Sequence, residues 1–173
     1  MRFPTILGTG LTVALLAATT VAQASERSYF RNVQGDWAGS GKIVAGKYKD
    51  TRFTCRFKGT RPGRLGMKIA GTCRVGLFTQ RLSAVITKSG SSYRGTFLDG
   101  AKGKGMDIVS GKLRGDKLVV GIRRKQLNGT MVANLKSENK LHISINVHAS
   151  DRLVPVIGLT LNRTGRKAAV LTD

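Results

Sequence analysis

The chain has 173 residues, of which 40% are apolar, and 30 Lys and Arg against 9 Asp and Glu give a net charge of +21 at pH 7. The apolar fraction is too high for a disordered polycation, and 22 Gly with 3 Pro argue against a collagen-like or proline-rich chain. The length fits one folded domain. The charge predicts an anionic partner, because a merely soluble domain does not need this much self-repulsion.

The first 24 residues have the features of a removable signal peptide. Arg2 supplies a positive start, the 16 residues 6–21 are mostly apolar, and Ala22-Gln23-Ala24 matches an A-x-A cleavage site. The apolar stretch is shorter than the roughly 20 residues that cross a bilayer, so we expect no transmembrane segment in the mature chain. We predict a mature protein from residue 25 with 29 basic and 9 acidic residues, a net charge of +20, located in the periplasm, with secretion as second choice.

Residues 25–34 carry no strand pattern and are predicted to form an N-terminal arm or a short turn of helix that caps one end of the fold. From Trp37 onward apolar residues alternate with polar ones, which is typical of strands with one buried face. The alternation is lost over residues 164–173, a predicted C-terminal tail. The predicted inward positions are Phe53, Cys55, Phe57, Met67, Ile69, Gly71, Cys73, Leu82, Ala84, Ile86, Tyr93, Gly95, Phe97, Leu118, Val120, Ile122, Leu141, Ile143, Ile145, Val147, Ile157, Leu159 and Leu161.

Turn signals separate the alternating segments every 10 to 15 residues. They are Ser89-Gly90-Ser91, Asp99-Gly100, Arg114-Gly115-Asp116, Asn128-Gly129 and Ser137-Glu138-Asn139. This spacing favours antiparallel strands joined by hairpins. We therefore predict an all-β fold over residues 35–163, a single antiparallel up-and-down β-barrel or strongly curved sheet of about nine to ten strands, since closure removes exposed strand edges.

Two cysteines, Cys55 and Cys73, lie in neighbouring alternating segments that a turn-like stretch at residues 59–63 separates. In an oxidising compartment this minimal even count predicts one disulfide across a hairpin. A redox or metal pair is the alternative, but the C-x-x-C spacing and further thiols are missing.

The first predicted strand opens with Gly35-Asp36-Trp37, and the last ends with Leu161-Asn162-Arg163. The pattern resembles the calycin arrangement of lipocalin-type barrels, in which a basic side chain from the final strand covers a G-x-W tryptophan. The resemblance implies that Gly35, Trp37 and Arg163 close one barrel end, through a cation–π contact. The chain lacks the late helix and the other short motifs of lipocalins, so the resemblance concerns the fold more than the activity.

Groups able to perform catalysis are few. His142 and His148 share one face of a strand with Ser144 and Asn146, about 20 Å apart by strand rise, which is too far to share one metal. The acidic residues Asp99, Asp107, Asp116, Glu138 and Asp151 are interpreted as turn formers. We expect no enzymatic activity, no metal and no cofactor.

Basic residues concentrate in one region, where residues 42–74 contain ten Lys and Arg and a single acid. Solubility and edge protection by lysine are the alternative explanation for any one cluster. Nucleic acid is disfavoured as the specific target by the signal peptide and the scarcity of aromatic residues. The predicted anion-binding residues are Arg52, Arg56, Lys68, Arg74, Lys102, Lys104, Arg123, Arg124 and Lys125.

Three functional hypotheses follow. The first is a non-enzymatic, envelope-associated protein that binds lipopolysaccharide, anionic lipid or an acidic glycan. The second is a calycin-like carrier with a small or lipophilic ligand inside the barrel. The third is a protein inhibitor or interaction module, although a lysozyme target would be repelled because lysozymes are usually basic. The oligomeric state and the identity of the ligand are not predicted.

Overall fold

The computed structural model describes residues 17–98, 106–149 and 151–165. One helix precedes ten strands in these ranges. The elements are α1 (Ala17–Asn32), β1 (Gly35–Ile43), β2 (Arg52–Thr60), β3 (Gly66–Val75), β4 (Phe78–Ser89), β5 (Ser92–Leu98), β6 (Met106–Arg114), β7 (Lys117–Arg124), β8 (Leu127–Ser137), β9 (Lys140–Ala149) and β10 (Arg152–Arg163). The predicted signal peptide lies outside the described residues up to residue 16, as do the turn at Asp99-Gly100 and the tail beyond residue 165.

The strands form one closed antiparallel barrel in which each strand pairs with its neighbours in the chain. The first and last strands close it, because β1 pairs with β10 from Trp37 opposite Arg163 to Ile43 opposite Ile157. The same β1 pairs on its other side with β2. The prediction of a single up-and-down β-barrel of about nine to ten strands is confirmed.

The two ends of the barrel differ. The end that we call plugged contains the end of α1, the start of β1, the end of β10 and the connections β2–β3, β4–β5, β6–β7 and β8–β9. At the other end, the mouth, lie the connections β1–β2, β3–β4, β7–β8 and β9–β10. The up-and-down order dictates this division, since successive connections alternate between ends.

The inward positions that alternation predicts are those that form the interior. Ile86, Leu118, Leu141 and Leu161 are fully buried, and half-buried residues such as Phe57 pack against them. Burial alternates along the strands, as in β7, where Leu118, Val120 and Ile122 are buried. The alternation of apolar and polar residues along each strand thus determines which side chains are buried, as expected for a sheet with one buried face.

One predicted turn is wrong. Asn128-Gly129 lies inside β8, and the β7–β8 hairpin turns instead at Lys125 and Gln126, where Lys125 has a positive φ of 52°. Gly129 serves a different purpose there, because a Cβ would meet the Asn146 carbonyl oxygen at 2.4 Å. A glycine can mark the close approach of two strands as well as a turn, and the sequence signal is the same.

The predicted disulfide between Cys55 and Cys73 is confirmed. The two residues are direct partners across β2 and β3, their Cα atoms are 4.0 Å apart, and both are buried. The bond joins strands that already pair, so it restricts the unfolded chain more than it shapes the folded one.

Replacing both cysteines, Cys55→Ala with Cys73→Ala, is expected to lower the free energy of unfolding by roughly 3 kcal/mol, because the bond closes a loop with a sequence separation of 18 residues. Urea denaturation followed by circular dichroism measures the difference. The wild-type protein in reductant is the matched control and should lose the same amount. An unchanged urea midpoint in both would contradict the prediction.

Candidate functional site

The mouth half of the barrel interior is hollow. It contains a cavity of about 380 Å³ whose wall receives side chains from all ten strands. The wall is rich in large adaptable apolar groups, and Ser83 is the one residue with a hydroxyl among those that the structure describes there. Its aromatic and methionine residues are Phe53, Phe57, Phe97, Met67, Met106 and Met131. Such a wall offers almost no hydrogen-bond partners to water and suits an apolar ligand.

The plugged half of the interior is filled by side chains of α1. Tyr29 and Phe30 are fully buried, with ring centroids 5.4 Å apart in an edge-to-face arrangement, and Phe30 lies 5.5 Å from Tyr93. The Tyr29 hydroxyl donates a hydrogen bond of 2.9 Å to the carbonyl oxygen of Ala133, a residue that also lines the cavity. The helix therefore reaches down to the level of the cavity wall.

Burial raises the pKa of Tyr29 and of Tyr93 above the ordinary value for a phenol. Nearby carboxylates act in the same direction, Asp116 on Tyr29 and Glu26 on Tyr93. Both phenols are therefore neutral at physiological pH, and the interior of the plugged half carries no phenolate charge.

Glu26 also fixes α1 to the barrel wall, through an ion pair with Lys88 in β4. Both side chains are mostly shielded from solvent, so water screens their attraction less than at a fully exposed pair. The helix is thus held by the buried rings of Tyr29 and Phe30 and by a shielded charge pair.

Trp37 and Arg163 lock the junction between α1 and the barrel. The Arg163 guanidinium carbon lies 4.3 Å from the centroid of the Trp37 ring, and Trp37 is buried beneath it. Trp37 Nε1 donates to the Val33 carbonyl oxygen at 2.9 Å. The cation–π geometry is the one that the calycin resemblance implies, here combined with contacts to the helix end.

Arg163 supplies donors to the carbonyl groups where α1 ends. Its guanidinium donates to the carbonyl oxygens of Asn32, at 2.6 Å, and of Gln34, while Nε donates to the Glu138 carbonyl oxygen at 2.9 Å. A cation at this position also interacts favourably with the negative, C-terminal end of the helix dipole. Partial burial lowers the pKa of Arg163 below its usual value, yet a guanidinium keeps its proton at neutral pH.

Gly35 is required where the chain enters β1. Its φ of 111° lies in a region that side chains rarely adopt, and a Cβ there would meet Arg163 Nη1 at 2.5 Å. The glycine thus leaves the space that the guanidinium occupies.

The role of Tyr29 and Phe30 does not follow from the sequence pattern. They occur in a short segment without strand alternation, where helical periodicity is too brief to recognise. The pair of adjacent aromatic residues just before the first strand is the feature that could have indicated a packing role, since aromatic side chains contribute most when they are buried.

The predicted anion-binding residues lie at several places on the outer wall. Arg52, Arg56 and Arg74 are exposed and gather on β2 and β3, where Arg74 is opposite Thr54 and thus diagonal to both other arginines. Lys68 is exposed too, but it faces Thr60 near the plugged end and does not join them. Strand register explains the separation, since the two ends of β3 are a whole strand length apart.

The second basic group lies at the mouth, where Arg123 and Lys125 are exposed and Arg124 is half-buried. Arg123 pairs across strands with Asp107, which the structure places in β6 rather than in a turn, so the interpretation of Asp107 as a turn former is wrong. Lys102 and Lys104 lie outside the described residues.

The two histidines lie on the outer face of β9, where the ring nitrogen Nδ1 of His142 is 3.2 Å from Thr160 Oγ1 and His148 is exposed. Among the residues that the structure describes, no group of three or more His, Cys, Asp and Glu side chains is arranged to hold a metal ion. Within the same ranges, no helix has the length and apolarity needed to cross a membrane.

The mouth is also where the exposed large apolar residues of the described ranges are found. Leu77 and Phe78, at the β3–β4 hairpin, are 99% and 83% exposed. Further apolar side chains line the same edge of the barrel, namely Val44, Tyr48, Val75, Leu98, Leu127 and Leu153. The cavity therefore opens toward a rim that is itself apolar.

No protein-family model matches this chain, and no curated protein sequence matches it. The crystal structure of Rv2717c from M. tuberculosis is similar, with a TM-score of 0.53, 11% identity and coverage of 78% of this chain and 94% of that chain. At this identity the likeness shows the barrel fold alone.

Two further solved structures are less similar. A protein of unknown function from the DUF3598 family of Nostoc punctiforme has a TM-score of 0.49 and 12% identity, and the match covers 78% of this chain but 49% of that one. EF1p2_mFAP2b bound to DFHBI has a TM-score of 0.44 and 9% identity, with coverage of 81% and 98%. No conclusion about this chain rests on these two.

Proposed function

We propose that the protein is an exported, non-enzymatic, calycin-like carrier that holds a small lipophilic ligand, or the apolar part of a larger one, in the mouth half of its barrel. The observation that carries this proposal is the apolar cavity of about 380 Å³. Ligand pockets typically measure about 300–1,000 Å³ and are lined mainly by apolar and aromatic side chains. The periplasm is the proposed location, which suits the disulfide between Cys55 and Cys73.

The division of the interior into two halves supports this function. A barrel that served only as a rigid module would gain stability from side chains filling both halves, because an empty apolar cavity costs dispersion contacts. Here the plugged half is filled by Tyr29, Phe30 and Trp37, whereas the mouth half is left hollow. A ligand with an apolar body would restore the missing contacts.

Filling the cavity is expected to weaken ligand binding. Ala84 is buried and lines the cavity, so Ala84→Phe should weaken binding of the neutral probe N-phenyl-1-naphthylamine by roughly tenfold or more, because the new ring occupies the space that an apolar ligand would fill. A neutral probe is needed, since an anionic dye would also bind the cationic surface. Fluorescence titration measures the affinity.

Ala70→Phe is the matched control. Ala70 lies in β3 beside the partner of Ala84, Ile69, and faces outward, so the same substitution adds the same ring outside the barrel. It should leave the affinity unchanged. Leu82→Trp, at another lining position, repeats the test if Ala84→Phe folds poorly by circular dichroism. Equal probe affinity in wild type, Ala84→Phe and Leu82→Trp would refute the carrier function.

The natural ligand is sought by native mass spectrometry of mature protein purified from the periplasm of its own host. A discrete extractable mass on the wild type, absent from Ala84→Phe, would identify it. Bare protein that also fails to bind the neutral probe would count against the carrier function.

The hypothesis of docking on anionic envelope components stays a prediction. The exposed residues Arg52, Arg56 and Arg74 support it, because Arg74 lies diagonal to both other arginines on the same outer face and guanidinium groups suit phosphate or carboxylate groups. The described residues offer no specific support for the inhibitor hypothesis.

A further inference from the structure

We infer that the mouth of the barrel is a docking surface for an anionic lipid bilayer. The surface consists of the apolar rim, whose most exposed members are Tyr48, Leu77, Phe78, Leu98, Leu127 and Leu153, together with the basic residues around it. The inference concerns which face meets the bilayer, and it does not depend on whether the cavity holds a ligand.

The mouth exposes several large apolar side chains to water. Single exposed apolar residues are ordinary on a protein surface, but several large ones that lie at the same end of a barrel indicate an interaction site. Leu77 sits in a two-residue turn between β3 and β4, next to Gly76 with its φ of 55°, so the hairpin presents Leu77 and Phe78 beyond the end of the barrel. A tight turn cannot fold these side chains back onto the protein, and they remain in water until a partner covers them.

The basic residues at the mouth indicate which kind of partner would cover the apolar rim. Exposed Lys47, Lys49, Arg52, Arg74 and Arg152 lie on the side of the mouth formed by β10, β1, β2 and β3, and exposed Arg123 and Lys125 lie at the end of β7. Apolar side chains next to Lys and Arg are the combination that enters the headgroup region of anionic membranes, where the cations meet lipid phosphates. A second copy of this chain fits worse, because two mouths facing each other would bring two sets of cations together within a molecule of net charge +21.

Orientation follows from the apolar rim and not from charge. Exposed cations such as Arg64 and Lys68 also occur at the plugged end, so long-range attraction alone would not select a face. Within residues 24–98, 106–149 and 151–165, the plugged end has no exposed large apolar side chain. Docking through the mouth would therefore place the cavity entrance against the lipid.

The test uses the mature protein and vesicles of phosphatidylcholine with or without phosphatidylglycerol. We expect co-sedimentation with the phosphatidylglycerol vesicles and little with phosphatidylcholine alone. Leu77→Ser with Phe78→Ser should reduce the partition coefficient by roughly tenfold or more, since two large apolar groups are lost from the contact. The two residues are exposed, so the variant should fold as the wild type does, which circular dichroism verifies.

A matched pair of charge variants tests the orientation. Arg52→Gln with Arg74→Gln removes two charges at the mouth, and Arg64→Gln with Lys68→Gln removes two at the plugged end. The mouth variant should lose more vesicle binding, because charges near the surface interact most strongly with anionic lipids. Equal losses would contradict docking through the mouth.

Tryptophan fluorescence supplies a direct readout. Trp37 is the single tryptophan of the chain and is buried near the plugged end, whereas Phe78→Trp adds one at the rim. With brominated phosphatidylglycerol, emission of the Phe78→Trp variant should be quenched and that of the wild type should not.

Three results would overturn the inference. They are no binding to phosphatidylglycerol vesicles, binding without quenching of the tryptophan at position 78, and a dimer in light scattering that Leu77→Ser with Phe78→Ser converts to a monomer. The neutral-probe titration keeps the two proposals apart, because Ala84→Phe should retain vesicle binding and the rim variant should retain probe binding.

Discussion

Replacing Trp37 by alanine is expected to destabilise the protein by about 3–5 kcal/mol, the range for deleting a large buried aromatic side chain. Trp37 is 1% exposed. The change removes the ring beneath the Arg163 guanidinium and the Nε1 hydrogen bond to the Val33 carbonyl oxygen. Arg163 would keep its hydrogen bonds to the carbonyl groups at the end of α1 but lose the aromatic ring against which its guanidinium packs. We therefore expect the end of the helix to loosen together with this end of the barrel.

Urea denaturation monitored by far-ultraviolet circular dichroism measures this loss, because the variant has no tryptophan left for fluorescence. Trp37→Phe is the control for the polar contribution. It keeps a ring under Arg163 but loses the hydrogen bond, and it should cost clearly less than alanine. A loss below about 1 kcal/mol for Trp37→Ala would mean that this junction does not stabilise the barrel.

Arg163 illustrates what a short motif conveys. The resemblance implies that Arg163 covers Trp37, and the side chains have that geometry. The motif does not predict that the same guanidinium donates hydrogen bonds to the carbonyl oxygens of Asn32 and Gln34. Those contacts depend on α1, for which the sequence contains no recognisable motif. Strand pairing, by contrast, follows directly from alternation, and Cys55 opposite Cys73 is its clearest example.

The cavity lay beyond the reach of sequence analysis for a different reason. Alternation identifies Phe53, Ala84 and Leu118 as inward residues without distinguishing those that touch one another from those that face a void. The difference depends on where α1 stops within the barrel. Tyr29 and Phe30 fill one half, and the chain has no second helix among the described residues to fill the other.

Asn128-Gly129 shows the limit of turn chemistry. The pair has the composition of a hairpin turn, but its register places Gly129 opposite Ile122 and Val147 within paired strands. The closeness of the Asn146 carbonyl oxygen requires a residue without a side chain at this position. The sequence shows that a glycine is present, but it does not show whether the glycine forms a turn or allows two strands to approach closely.

Replacing Phe30 by alanine is the second large expected effect, a loss of about 3–5 kcal/mol in the free energy of unfolding. Phe30 is 0% exposed and packs against Tyr29 and Tyr93. Its removal leaves a hole that the surrounding barrel cannot close, since the strands are tied to one another around the full circumference. The neutral probe should still bind at temperatures where the variant is folded, because the residues that line the cavity are unchanged.

Phe78→Ala is the matched control for Phe30→Ala, because it makes the same chemical change at a side chain that is 83% exposed. It should alter the free energy of unfolding by about 0.5 kcal/mol or less, as surface substitutions do. The difference between the two variants isolates the burial of the helix plug from any intrinsic effect of losing a phenyl ring. If Phe30→Ala matched Phe78→Ala, the helix would contribute nothing to the stability of the barrel, and the plugged end would be open in solution.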